Sequence, residues 1–229
     1  MASRSGPPTA NGALCRNDEQ HPFSDPLRKV RRVSRFEPAS AADLLAFVRN
    51  QLLALVVSDG PQGHLTTPLP LLAQTDDTGA IVEFFGHFAL ANPQVAVVRE
   101  NPRALILFQG PHAYVPPAWV SAERWAPTWN YAMAQFEVEI RLLPEENDRA
   151  IAELLAAVEG NGPSAWTVEA MGDRYAKMLP HIIAFRARVT GVSAKFKLGQ
   201  DESDETFEEI VAALGDGALA RLMRDARRR

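Results

Sequence analysis

The stretch FGHFALANPQ (Phe85–Gln94), followed by NPRALILFQGPHAYVPPAWV (Asn101–Val120) and APTWNY (Ala126–Tyr131), decides how this chain is read. Between Phe85 and Tyr131 lie two of the five histidines (His87, His112), three of the four tryptophans (Trp119, Trp125, Trp129), two of the three tyrosines and six prolines. Strand-like segments flank this run. Ligand pockets combine aromatic walls with a few convergent polar groups, so the composition points to a pocket more than to a plain core.

Working outward, the secondary structure is legible as short β segments. LALVVS, the turn DGPQG, the strand HLTTPLPLL, the turn TDDTG and AIVEFFG follow one another, and strands joined by such short connections pair antiparallel. Asn92 followed by Pro93 predicts a helix over about Ala91 to Arg99, because asparagine caps free N–H groups and proline suits the first turn. A helix start directly after a strand is also a natural anion site. RALILFQ reads as a buried strand and GPH as a turn. From Thr128 on, Phe136, Val138, Ile140 and Leu142 alternate with Gln135, Glu137, Glu139 and Arg141, which predicts a long strand with one face in the core and one in water.

On the N-terminal side, Ser40 and Asp43 resemble a capping box before the helical repeat Leu44, Leu45, Val48 and Leu52. Residues 1–27, rich in Ser, Pro, Gly, Asn and Asp, predict a disordered tail. Towards the C-terminus a helix carries Ile151, Leu154, Leu155 and Val158 on one side, and MGDRYAKMLPHII contains another ending near Pro180. IIAFRARVTGV is a strand, AKFKLGQD follows, and Ser203 opens a helix with Phe207, Ile210, Val211 and Leu214 on one stripe. Five or six antiparallel strands with helices late and at the ends predict an α+β fold. It is an antiparallel β-barrel with flanking helices, one domain over residues 28–229 with a helical insertion at about 145–180.

Composition limits the classes of function. The chain has 229 residues, 46% hydrophobic and 23% charged, with a net charge of −4, and it exerts no general pull toward nucleic acid. Basic runs at Arg28–Arg35 and Arg221–Arg229 are where DNA phosphates would have to be met. No apolar run is long enough for a bilayer span, so no membrane role is expected. The first residues lack an apolar signal core and Cys15 is the one cysteine, so a cytoplasmic location is expected. Neither HExxH, paired cysteines, a Walker loop, GxGxxG nor GxSxG occurs, which removes the hydrolase and dehydrogenase classes those motifs mark.

Among individual residues, His87 follows a strand and a glycine just before the helix start. It can donate to a phosphate, act as acid or base, or ligate a metal or haem iron; the alternative is a histidine satisfied by a backbone carbonyl. His112 reads as structural, His64 as a surface residue at a strand end, and His181 as core. Trp129 and Tyr131 share one strand face and Asn130 takes the other. The aromatic pair can stack on a planar ring while Asn130 or Thr128 bonds its polar edges, or it can pack in the core. Lys195 and Lys197 share a face and can hold an anion together, or form an ordinary wet face.

The motifs GHFALANPQ, FQGPHAYVPPAW, APTWNY and KFKLGQD, in this order over roughly residues 33–215, resemble the PaiB-type FMN-binding negative transcriptional regulator family. The resemblance implies an FMN-binding split barrel, usually a homodimer with the cofactor at the subunit boundary. It puts His87 and Asn92 by the flavin phosphate or ring, Trp129 and Asn130 along the pocket wall, and Lys195, Lys197 and Gln200 approaching from the C-terminal motif. Thr67 joins the cofactor-binding set where relatives carry a segment like ATHLP, here Thr67-Pro68-Leu69-Pro70. The family's arginine in ARANP is Leu90, which removes a cationic partner for the phosphate. The chain is also similar to piperazate synthase-like proteins, which bind haem and form an N–N bond. That resemblance implies haem b with His87 as the iron ligand. Neither resemblance singles out a catalytic residue.

Overall fold

A computed structural model describes residues 35–160, 162 and 165–228. The tail expected over residues 1–27 and the basic residues Arg28 to Arg32 lie outside the described residues. Seven antiparallel strands form one sheet: β1 (Leu53–Gly60), β2 (Gly63–Pro70), β3 (Leu72–Thr75), β4 (Ile81–Ala89), β5 (Arg103–Val115), β6 (Thr128–Leu142) and β7 (Ile182–Lys197). Their order across the sheet is β2-β1-β5-β6-β7-β4-β3. Around it lie helices α1 (Ala41–Gln51), α2 (Pro93–Glu100), α3 (Asn147–Glu159), α4 (Asp173–Met178), α5 (Asp204–Leu214) and α6 (Ala218–Arg227). This is the expected α+β split barrel with flanking helices.

Helix starts follow local chemistry. Ser40 Oγ accepts from the Asp43 N–H at 3.2 Å, Asn92 Oδ1 from the Gln94 N–H at 2.9 Å, and Ser203 Oγ from the Thr206 N–H at 3.2 Å. Each satisfies a donor that the first turn leaves free. In β6 the residues Asn130, Ala132, Ala134, Phe136, Val138 and Ile140 are buried, and Glu137, Glu139 and Arg141 are exposed. The buried set meets Phe84 and Phe108, with the Phe84 and Phe136 rings 4.8 Å apart and edge-on. Each such aromatic side chain gains roughly 1.5–3 kcal/mol on leaving water.

Four sequence expectations change. HLTTPLPLL is not one strand: it breaks at Leu71, and this raises the strand number to seven. Pro68 and Pro70 cannot donate to a ladder, and β2 sits at a sheet edge where missing donors are tolerated. The Leu71 N–H turns instead to the Leu52 carbonyl at 2.9 Å, and its side chain is buried. Nor is GPH a turn. β5 continues through it with a register shift between Gln109 and His112, a bulge that accommodates Pro111. Gly110 is required there, because a Cβ would lie 2.4 Å from Phe47 Cε2. β7 extends through AKFK to Lys197. Finally His181 is exposed rather than in the core, since it ends a tight turn whose carbonyl accepts the Leu90 N–H at 2.8 Å.

The segment between β6 and β7 is largely helical. Asn147 joins it to β7, its Oδ1 accepting from the Ala184 N–H at 2.7 Å and its Nδ2 donating to the Ile182 carbonyl at 3.0 Å. Arg186 on β7 bonds Glu83 and Glu146, each at 2.7 Å, with its guanidinium 4.4 Å from the Phe85 ring centroid. Among the described residues, no helix is long and apolar enough to cross a membrane.

Candidate functional site

The expected site residues fall into three places, with Asn130 and Gln200 outside them. At the start of α2, Thr67 and Asn92 meet. Asn92 Nδ2 donates to Thr67 Oγ1 at 2.9 Å, and Thr67 donates onward to Gln94 Oε1 at 2.6 Å. Gln94 Nε2 then donates to Ser58 Oγ at 2.8 Å and to the Val56 carbonyl at 3.0 Å. Gln94 is 0% exposed and is the hub of this network. The sequence reading passed over it. The available signal was its spacing, one residue before Val95 and four before Val98, which puts an amide on the buried side of the helix.

His87 stands apart from that network. It pairs with Ala184 on β7 and points to the face opposite Gly86. A Cβ on Gly86 would lie 2.6 Å from Leu71 Cδ2, so the Gly86 side is fully packed. The His87 Nδ1 is buried with no hydrogen-bond partner, which rules out the backbone-satisfied alternative at that atom. Burial holds its pKa below the ordinary imidazole value near 6.5. The unfolded chain takes up a proton as pH falls through that value while the folded chain resists it. Stability is therefore level above about pH 7 and declines as pH drops below the ordinary value toward the folded one. In melting curves from pH 8 to pH 5, His87→Phe is expected to flatten this decline relative to the parent chain; identical slopes would show that His87 protonates freely.

The third group lies on the outer face of β5, β6 and β7. Trp129 and Tyr131 point outward, Trp129 being 53% exposed. Cross-strand pairing sets Tyr114 opposite Trp129 and His112 opposite Tyr131. Ring centroids are 5.8 Å apart for Tyr114–Trp129 and 6.2 Å for His112–Trp129. On β7, Lys197 pairs with Tyr131 and Lys195 with Met133, so both lysines share this face. Lys197 Nζ donates to Thr128 Oγ1, and Lys195 Nζ lies 6.0 Å from the Tyr131 ring centroid. Tyr114 and His112, absent from the expected set, thereby complete an aromatic shelf edged by two cations.

Asn130 and Gln200 do not join it. Asn130 is 1% exposed on the inner face, its Nδ2 3.7 Å from Met223 Sδ. Gln200 folds back on its own backbone, Oε1 accepting from the Leu198 N–H at 2.7 Å and Nε2 donating to the Phe196 carbonyl at 2.5 Å. It borders a cleft of about 560 Å³ between α1, α6 and Pro111, which holds no other member of the expected set. His87 and the shelf lie toward opposite ends of β7, since His87 pairs at Ala184 and Tyr131 at Lys197. That separation is about 40 Å of strand at the usual rise per residue. Among the described residues, no three His, Cys, Asp or Glu side chains gather as a metal site.

The family described as "Putative FMN-binding domain" matches residues 33–191. The protease synthase and sporulation protein PAI 2 of Bacillus subtilis is 28% identical over 185 residues, spanning 78% of this chain and 86% of that protein. The FAD and heme binding protein of Mycobacterium smegmatis superposes with a TM-score of 0.51 at 16% identity, over 78% of this chain and 80% of that one. The flavocytochrome Anf3 of Azotobacter vinelandii gives 0.53 at 12% identity, over 71% and 68%. At such identities the two structures speak for the fold alone. The motif order, the split barrel and the matched span agree: this chain belongs to the PaiB-type family of FMN-binding domains.

Proposed function

We propose that the chain binds FMN and works as a flavin-dependent redox protein in the cytoplasm. The observation that carries this reading is the outward shelf of Trp129, Tyr131, Tyr114 and His112 edged by Lys195 and Lys197. Flat aromatic side chains suit a planar ring, and two ammonium groups suit its anionic tail. FMN supplies the electron chemistry when bound, and the protein contributes orientation, electrostatics and exclusion of water. His87 lies toward the other end of β7 and Thr67 with Asn92 at the start of α2, so the reading includes a homodimer in which a second copy brings its His87 end to the shelf. Leu53, Leu55 and Val192, large apolar side chains left exposed, favour such a partner. Asn130 packs behind the shelf on the inner face of β6, and Gln200 braces the end of β7 at Phe196 and Leu198. FMN titration followed by fluorescence quenching is the test: saturable binding is expected, weakened about 5- to 150-fold by Trp129→Ala, as loss of an aromatic stack worth about 1–3 kcal/mol implies. Absence of saturation would overturn the reading.

One observation favours a second reading, haem b held by His87. A buried imidazole kept neutral, with a nitrogen that no protein group occupies, fits the needs of iron ligation. A Soret band abolished by His87→Ala would establish it. A repressor role has less support from the arginines of α6. Arg224 donates to the Gly215 carbonyl at 3.0 Å, Arg221 to the Asp216 carbonyl, and Arg227 pairs with Asp204. Salt-dependent retardation of DNA would restore that role.

A further inference from the structure

Asn130, the side chain expected to meet the polar edge of a ring, faces inside the barrel, so on the shelf that task falls to another group. The bulge in β5 supplies one. From Gln109 to His112 β5 advances three residues while its partner β6 advances two, from Met133 to Tyr131. That one extra residue reverses the alternation beyond it: without it His112 and Tyr114 would fall on the inner face, and with it both stand on the shelf. Gly110 and Pro111 form the bulge, and a Cβ on Gly110 would lie 2.4 Å from Phe47 Cε2 and 3.1 Å from the Ala132 carbonyl oxygen. Bulges commonly re-aim a side chain beside a ligand site.

The bulge also fixes what His112 offers. Its Nδ1 lies 3.3 Å from the Gly110 carbonyl oxygen, which can only accept, so the neutral ring carries its proton on Nδ1 and Nε2 keeps a lone pair. His112 is exposed, and no other hydrogen bond engages it among the described residues. Polarity is also graded along the shelf. Tyr114 and Trp129 form one cross-strand row, and His112, Tyr131 and Lys197 form the next, about 7 Å further along the strands. The first row presents mainly aromatic carbon. The second adds an acceptor at Nε2 on the β5 side and an ammonium donor on the β7 side.

We propose that His112 Nε2 accepts a hydrogen bond from the imide N–H of the flavin's pyrimidinedione ring and so selects ligands that carry an N–H at that edge. This assignment rests on the FMN reading above. The apolar benzenoid end of the ring then covers Tyr114 and Trp129, and the imide end lies over the row of His112 and Tyr131. The proposed ligand class is a planar fused heterocycle with a cyclic imide at one end.

The test compares FMN with its analogue methylated at the imide nitrogen, on the purified full chain, read by quenching of flavin fluorescence. Methylation removes the donor and leaves Nε2 without a partner, which is expected to weaken binding about 5- to 150-fold. His112→Phe keeps an aromatic plate and removes the acceptor: FMN is expected to weaken to the level of the analogue, and the analogue to change little. His112→Gln, whose Oε1 can accept, is expected to retain part of the preference. The histidine nitrogen NMR spectrum of the wild type without flavin adds a readout independent of binding, with His112 expected in the form protonated on Nδ1. Equal affinities for the two flavins in the wild type, an unchanged ratio in His112→Phe, or a neutral His112 protonated on Nε2 overturns the assignment and leaves the flavin reading standing. Binding of neither flavin overturns both.

Discussion

Gln94→Leu is expected to lower the unfolding free energy by about 2–6 kcal/mol, because two buried groups then lose their partner at about 1–3 kcal/mol each. Leucine matches the volume of glutamine and leaves no cavity, so the effect isolates hydrogen bonding. Ser58, 1% exposed, and the Val56 carbonyl in β1 both rely on Gln94 Nε2. Thr67 loses its acceptor as well, although it is only partly buried and can turn to water. Urea unfolding read by tryptophan fluorescence measures the loss. A decrease below about 1 kcal/mol, the scale of one ordinary hydrogen bond, would mean that the network relaxes around the leucine. Thr67→Val provides the contrast: it removes the middle of the chain of bonds near the surface and is expected to cost less than Gln94→Leu.

The second large effect concerns the barrel interior. Phe136→Ala is expected to destabilise by about 3–5 kcal/mol, the usual range for emptying a buried phenyl site. Phe136 is fully buried and meets Phe84 at 4.8 Å and Phe108 at 6.0 Å, both edge-on. The hole left in a rolled sheet cannot close by sliding a helix inward, because strands β4, β5 and β6 are locked by their ladders. Phe136→Leu keeps most of the volume and is expected to recover most of the loss. Thermal and urea unfolding of both variants check this, and equal stability of the alanine and leucine forms would contradict a tightly packed interior.

Those two residues also mark what the sequence made legible. Phe136 was readable because strand alternation at Phe136, Val138 and Ile140 is a property of neighbours in the chain. The caps Ser40, Asn92 and Ser203 were readable for the same reason. Gln94 was not, since its partners Ser58 and Thr67 are 36 and 27 residues away. The break at Leu71 is set by where the preceding strand ends up in the sheet, and the bulge at Gly110-Pro111-His112 by how closely Phe47 approaches. Neither cause lies in the local pattern. In the site, alternation separated Trp129 from Asn130 correctly, but it could not say that the asparagine side faces α6 and Met223. His181 shows the same limit: an apolar neighbourhood in the chain ended as an exposed turn, because only its carbonyl is needed.

The single residue Leu71 joins β2 and β3, which are the two outermost strands of the sheet. A sheet whose margins are tethered by one peptide unit cannot lie flat, so the curl is imposed by covalent connectivity before any side chain contributes. The two hairpins on either side of the tether, β1 with β2 and β3 with β4, involve only near neighbours in sequence and are suited to early assembly. The long ladder between β6 and β7 must instead wait for the intervening helices. Folding is therefore expected to proceed from the rim inward, with the face bearing the two lysines completed last.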